Sequence, residues 1–159
     1  MAGEQGNTNF AHGQDVLTLL NRDLANEMNT MLMYMAGSLL VRGQDAFDVK
    51  EVASKFSKQD FKHAKKIAAR IVELEGSPQL MPTQIDNNAS IDAKMPSQRA
   101  TGPQALLKDA LECELQSVVE YRNQIQNIEF NDPATCLLLQ GILADKEHQA
   151  EEIRDLLGV

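Results

Sequence analysis

Four stretches of the chain carry apolar residues at a 3.6-residue period, the spacing that gathers side chains on one face of an α-helix. The first runs from about Asp15 to Arg42, with Leu20, Leu24, Met31, Met35 and Leu39 in its stripe. Gly43 breaks it. A second runs from about Phe47 to Glu75 through Val52, Phe56, Ile67, Ile71 and Leu74, and Gly76-Ser77-Pro78 ends it. The third begins near Pro103, a residue suited to a first helical turn, and carries Leu107, Leu111, Val118, Ile125 and Ile128. Asn131-Asp132-Pro133 reads as a tight turn with Asp132 as helix cap, and a fourth stripe of Leu138, Ile142 and Leu156 extends to about Leu157.

Residues 1–13 are polar and Gly/Asn-rich and read as a flexible tail, with His12 solvated in it. Residues 14–158 then form one domain, as expected for this length. Residues 77–102 are the exception to the helical pattern, with Pro78, Pro82 and Pro96, several amides and scattered apolar residues. A structureless connection of this length needs a reason. A crossover along a helix bundle supplies one, because a helix of about 29 residues is some 43 Å long and about 25 extended residues span that with slack. Leu80, Met81 and Ile85 are expected to pin this segment to the bundle side. The fold class is therefore all-α: a four-helix bundle of two helical hairpins joined by one long crossover.

Each stripe is interrupted at its centre by polar residues. Glu27 sits between Leu24 and Met31, and Glu114 sits between Leu111 and Val118. Asp60 and His63 stand mid-stripe in the second helix, and Asp145 and His148 repeat the same spacing in the fourth. Tyr34 and Tyr121, the two tyrosines of the chain, each follow their stripe glutamate by seven residues. The pattern is an internal duplication of a helix pair. If the stripes face one another, four carboxylates and two imidazoles meet in a small dry volume, which is costly unless neutralised. No Lys or Arg is expected at a central stripe position; Lys62, Lys65, Lys66 and Arg70 fall on the solvent side. Two divalent cations would neutralise the set, and oxygen with imidazole donors suits iron or manganese and accepts zinc.

Composition narrows the partners. Hydrophobic content of 43% supports a sizeable core, and scarce aromatics with no Trp favour helices over sheet. A formal net charge of −8 speaks against nucleic acid and is compatible with cations. The N-terminus lacks the basic and apolar regions of a signal peptide, and no apolar run approaches a membrane span. Cys113 and Cys136 lack metal spacing and read as inert buried thiols, so a soluble protein of the reducing cytoplasm is expected. The methionines at 28, 31, 33 and 35 read as adaptable core filler, and Glu152, on the inward row of the fourth helix, reads as a solvated residue or a neighbour of the ligands.

Over residues 15–157 the chain resembles the ferritin-like di-iron proteins, nearest the bacterioferritin and Dps-like members. The resemblance rests on Glu27 with Tyr34, on Lys58 to Pro78, on Glu114 with Tyr121-Arg122, and on Asp132-Pro133 through Asp145 to His148. It implies a ferritin-like bundle with two irons per subunit. Glu27 and Glu114 would be terminal ligands, Asp60 and Asp145 bridging ligands, and His63 and His148 one ligand each, with Tyr34 and Tyr121 holding carboxylates in place. It further implies Fe(II) oxidation by dioxygen or peroxide for iron storage or detoxification, and a homo-oligomer.

Three departures qualify that implication. The family has Glu where this chain has Asp60 and Asp145, which shortens the reach of both bridges and puts ferroxidase activity in question. Phe61 stands where bacterioferritins carry their haem-ligating Met, so no haem is expected there. The chain ends at Val159 without a fifth helix, which favours a dimer or 12-subunit shell over 24 subunits. The alternative function is a non-catalytic ferritin-like bundle that holds a structural ion such as zinc, or no metal. A di-metal peroxidase or oxygenase acting on a small molecule is a third class.

Overall fold

A computed structural model of the chain describes residues 8–96, 102–128 and 131–159, with side chains in the first helix described from Val16 onward. Every described element is a helix: α1 (Thr8–Leu40), α2 (Ala46–Glu73), α3 (Pro82–Asn88), α4 (Pro103–Ile128) and α5 (Pro133–Leu157). Residues 1–7 of the expected tail lie outside the described residues, and the chain is helical from Thr8, earlier than the period indicates.

The α1–α2 turn uses left-handed backbone at Gly43 (φ 117°) and Asp45 (φ 64°). At the far end α2 closes with Gly76 N–H donating to the Ile71 carbonyl at 2.8 Å. Gly76 is small for a packing reason: a Cβ there would come within 2.5 Å of Leu17 Cδ2. On α5 the Asp132 side chain accepts from the Thr135 N–H, and Pro133 opens the helix. Arg70 of α2 donates to Asp132 Oδ1 and to Thr135 Oγ1, both at 2.9 Å, and so ties this cap to the first hairpin.

Contacts along the helices give their directions. Gly37 packs on Leu106, Tyr34 bonds Glu114, and Asp23 bonds Gln124, so α1 and α4 are antiparallel. Lys55 with Glu152, Asp60 with Lys146 and Arg70 with Asp132 make α2 and α5 antiparallel as well. Because α2 ends beside Leu17 and α4 starts beside Gly37 and Gly43, the connection between them runs the length of the bundle.

That crossover is less irregular than its composition suggests. Pro82 starts the short helix α3, which turns Ile85 inward. Leu80 and Met81 are exposed at 51% and 64%, so of the expected residues Ile85 alone pins the segment, joined by Ile91. Asn26 of α1 supplies the polar anchor. Its Oδ1 accepts from the Ser90 and Ile91 N–H groups at 2.9 and 3.1 Å, and its Nδ2 donates to Ser90 Oγ.

The core falls into two apolar clusters. One holds Met33, Tyr34, Phe56, Leu106, Ala110 and Ile153; the other holds Leu20, Leu24, Ile67, Ile71, Leu139 and Ile142. Buried Glu27 of α1, Asp60 and His63 of α2 and Glu114 of α4 lie between them. Two expected stripes shift. Met35 and Leu39 are surface residues, and Met33, Tyr34 and Val41 take their inward places. On α5 the inward row is Leu139, Ile142, Lys146, Gln149 and Ile153, not Leu138, Asp145, His148, Glu152 and Leu156. Two rows one residue apart share the helical period, and only Ile142 belongs to both.

Replacing Asn26 with Ala should free the crossover while sparing the bundle. The lost bonds leave two amides of the segment without their partner, at a cost of about 1–3 kcal/mol. Hydrogen exchange should accelerate at the Ser90 and Ile91 amides and stay unchanged in the middle of α2 and α4.

Candidate metal centre

Glu27 and Glu114 reach the bundle axis from α1 and α4, one turn or more from any helix end, because each replaces an apolar residue in its stripe. Each is held by the tyrosine of the opposite hairpin. Tyr34 Oη donates to Glu114 Oε1 at 2.5 Å, and Tyr121 Oη donates to Glu27 Oε1 at 2.8 Å. Burial and the neighbouring carboxylates push both phenols well above their ordinary pKa, so they remain donors.

The two other helices do not mirror each other chemically. On α2, Asp60 and His63 are both buried. On α5 the residue facing Asp60 is Lys146, fully buried, with Gln149 three positions on. Lys146 Nζ lies 2.7 Å from Asp60 Oδ1, 3.1 Å from Glu27 Oε2 and 3.6 Å from Glu114 Oε2. Gln149 Nε2 donates to Asp60 Oδ1 at 3.3 Å. The expected ligand pair on α5 is therefore displaced. The Asp145 side chain is 43% exposed and accepts from His63 Nε2 at 2.9 Å, while the His148 side chain is 74% exposed and faces Glu152 at 4.0 Å. One position along a helix is a rotation of about 100°, enough to carry both side chains off the axis.

Lys146 is the residue the sequence reading missed. Its signal was present: Glu114 to Lys146 reproduces the Glu27 to Asp60 interval to within one residue, more closely than Glu114 to Asp145 does. Lys146-x-x-Gln149 is the positional partner of Asp60-x-x-His63.

One ammonium serves three buried carboxylates, and they share it unequally. Burial works against ionisation of Glu27, but Lys146, His63 and Tyr121 together overcome it and hold its pKa at about 2. Glu114 has fewer partners, and burial pushes it up to about 7. Burial also raises Asp60 despite its short contact with Lys146. The carboxylates in turn hold Lys146 well above its ordinary value against the cost of burial. Burial disfavours a charged His63, yet Glu27 at 3.2 Å from Nδ1 and Asp145 at Nε2 raise its pKa. An imidazole flanked by carboxylates on both nitrogens is best matched as a donor at both.

Asp60 Oδ2, Glu114 Oε2 and Gln149 Oε1 are buried without a hydrogen-bond partner. All three are oxygen acceptors and all belong to this centre. Glu27, Asp60 and His63 each offer one ligand atom within 4.8 Å of the others, a group able to hold a metal ion. These donors fit a single divalent cation. They do not fit a second, because α5 presents an ammonium and a carboxamide where two further ligands would be needed.

One turn away on α1, Asp23 is buried and accepts from Gln124 Nε2 at 2.8 Å. Asp23 Oδ2 and Gln124 Oε1 are left unpartnered. Burial pushes the Asp23 pKa up to about 7, with Gln124 and Arg22 opposing. A proton on Asp23 supplies a donor to a pair that otherwise presents two spare acceptors.

Lys146→Met keeps the length of the stem and removes the charge. It should cost the metal-free protein about 3–5 kcal/mol, the usual penalty for stranding a buried partner. Denaturant melts in chelator should register the loss, and Mn(II) or Zn(II) should recover part of it. Asp23 binds its proton more tightly folded than unfolded, so it withdraws stability as pH rises from about 4 to 7 and withdraws no more above that. Up to about 4 kcal/mol is at stake for a shift of this size. Asp23→Asn, whose amide nitrogen replaces one spare acceptor and can donate to the other, should be more stable than the parent at pH 7.5 and lose this pH dependence in thermal melts.

No curated protein matches the chain. Solved structures similar to it include a dodecameric thioferritin, the bacterioferritin-related protein of Bacteroides fragilis. It is 27% identical, with 92% of this chain and 86% of that one covered and a TM-score of 0.87. Dps from Bacillus brevis is 23% identical (91% and 96% covered, TM-score 0.84), and Dps from Thermosynechococcus elongatus 19% (91% and 90%, TM-score 0.84). These last two attest the fold. Residues 17–159 match the ferritin-like domain as a family, and with the helix order, the crossover and the mid-bundle acids in place the chain belongs to it.

Proposed function

We propose that this protein is a ferritin-like metal-binding subunit whose centre takes one divalent cation, with Lys146 standing in for the second. The observation that carries this reading is the charge of the centre. An ion bound there would favour ionised carboxylates and a neutral His63; in that state three carboxylates against one ammonium leave two negative charges, which one divalent ion cancels. Glu27, Asp60 and His63 would hold the ion, and Lys146 would then pair with Glu114. Bound there, such an ion supplies Lewis acidity and, if it is iron, a single-electron couple. Iron(II) is the cation that the ferritin-like family favours, and manganese and zinc share these donors.

The chain's own residues prepare the site. Tyr121 fixes one oxygen of Glu27 and leaves Oε2 turned toward His63 and Lys146. Asp145, at the rim, orients His63 through Nε2, and an ion at Nδ1 would displace the proton there. Concerted oxidation of two Fe(II) ions at one centre is not supported by this set, which favours the structural or divergent metal site over a di-iron ferroxidase. Assembly into a homo-oligomer is part of the proposal. Leu32, Met35, Leu39 and Phe47 expose apolar surface along the end of α1 and the start of α2, and the Bacteroides fragilis neighbour is dodecameric.

Anaerobic titration with Fe(II) or Mn(II) should saturate at one ion per subunit in the parent protein. Lys146→Glu should raise that number to two. Two ions per subunit in the parent would overturn the reading.

A further inference from the structure

Outside the buried centre, the groove between α2 and α5 carries a charge opposite to that of the protein. It is a cavity of about 460 Å³, open on one side and lined by Lys55, Lys58, Gln59, Lys62, Lys66, His63 and Asp145. The chain as a whole has a formal charge of −8, yet four of these seven residues are lysines and one is an acid. Lys55 is neutralised by Glu152 at 2.7 Å. Among the described residues, Lys58, Lys62 and Lys66 make no ion pair within 4 Å.

Their spacing is costly to the helix. Lys58 and Lys62, and Lys62 and Lys66, are like charges at i, i+4, each pair destabilising α2 by a few tenths of a kcal/mol. A solvent-facing helix in an acidic protein has many ways to avoid such a ladder. An anion lying along it turns the repulsion into attraction. The Lys58, Lys62 and Lys66 stems repeat about every 6 Å over roughly 12 Å of helix, a row matched to several oxyanions in line. Gln59 offers an amide donor in the same wall. The one aromatic ring in the groove lining is the buried His63 imidazole, so a nucleobase has no exposed ring face to stack on.

We propose that the α2–α5 groove binds a phosphate-class oligoanion, with Lys58, Lys62 and Lys66 as its charge contacts. Lys58 and Lys62 have no described carboxylate within ion-pair distance, and Lys66 stands at the end nearest Asp145. The floor of the groove is the His63–Asp145 pair, so the anion would lie directly above the candidate metal centre. The proposal does not depend on how many ions that centre holds.

Titration calorimetry at low ionic strength, with inorganic phosphate and tripolyphosphate as probes, tests it on the intact protein. Tripolyphosphate should bind saturably at one per subunit, at least tenfold tighter than phosphate, and weaken steeply with salt. Lys58→Gln/Lys62→Gln should weaken it at least tenfold. Lys58→Arg/Lys62→Arg should retain it, and Lys50→Gln/Lys65→Gln, which removes equal charge from α2 outside the groove, should leave it unchanged. Three results would overturn the proposal: no saturable binding by the parent, equal loss in the Lys50/Lys65 variant, or a single-stranded oligonucleotide of equal charge binding as tightly as tripolyphosphate. Thermal melts of each variant distinguish lost binding from lost folding.

Discussion

A single ammonium, Lys146 Nζ, sits among the carboxylates of Glu27, Asp60 and Glu114, and the middle of the bundle is arranged around it. Four charged groups at this depth exact a desolvation cost that only mutual contact can offset. The helices on either side have no freedom to adjust that contact, because apolar clusters above and below fix their separation. The tyrosine hydroxyls take up one oxygen each of Glu27 and Glu114, and the ammonium takes up Asp60 Oδ1 and Glu27 Oε2. What remains are acceptors without donors: Asp60 Oδ2, Glu114 Oε2 and Gln149 Oε1.

The fold was largely legible in the sequence because its determinants are local. Helix breaks at Gly43 and Gly76, the Asp132-Pro133 cap and the 3.6-residue stripes each act within a few residues. The ordered crossover was less legible, since the anchoring Asn26 lies more than sixty positions from Ser90 and Ile91, and no periodicity connects them. On α1, the outward turn of Met35 and Leu39 follows from a choice among apolar residues that all satisfy the helical period.

The centre was half legible for a specific reason. Acids in an apolar stripe are conspicuous, and Glu27, Asp60, His63 and Glu114 were found through them. Lysine in such a stripe is easily read as solvent-facing, so the motif Asp145-x-x-His148 drew the register of α5 one residue away from Lys146. Burial of a lysine is improbable alone and favourable beside three carboxylates, a condition set by the other three helices and invisible within α5.

The crossed tyrosines have a consequence for the history of such a molecule. Tyr34 holds the glutamate of the second hairpin, and Tyr121 holds that of the first. Neither hairpin orients its own acid, so the two halves of the duplicated pattern are bound to each other at that pair of contacts and must change together there. The α2 and α5 positions are tied by unlike partners instead, Lys146 and Gln149 of one to Asp60 of the other. Complementary groups can differ on the two sides, one with an acid and imidazole, the other with an amine and amide. Symmetry is locked on one diagonal of the bundle and released on the other.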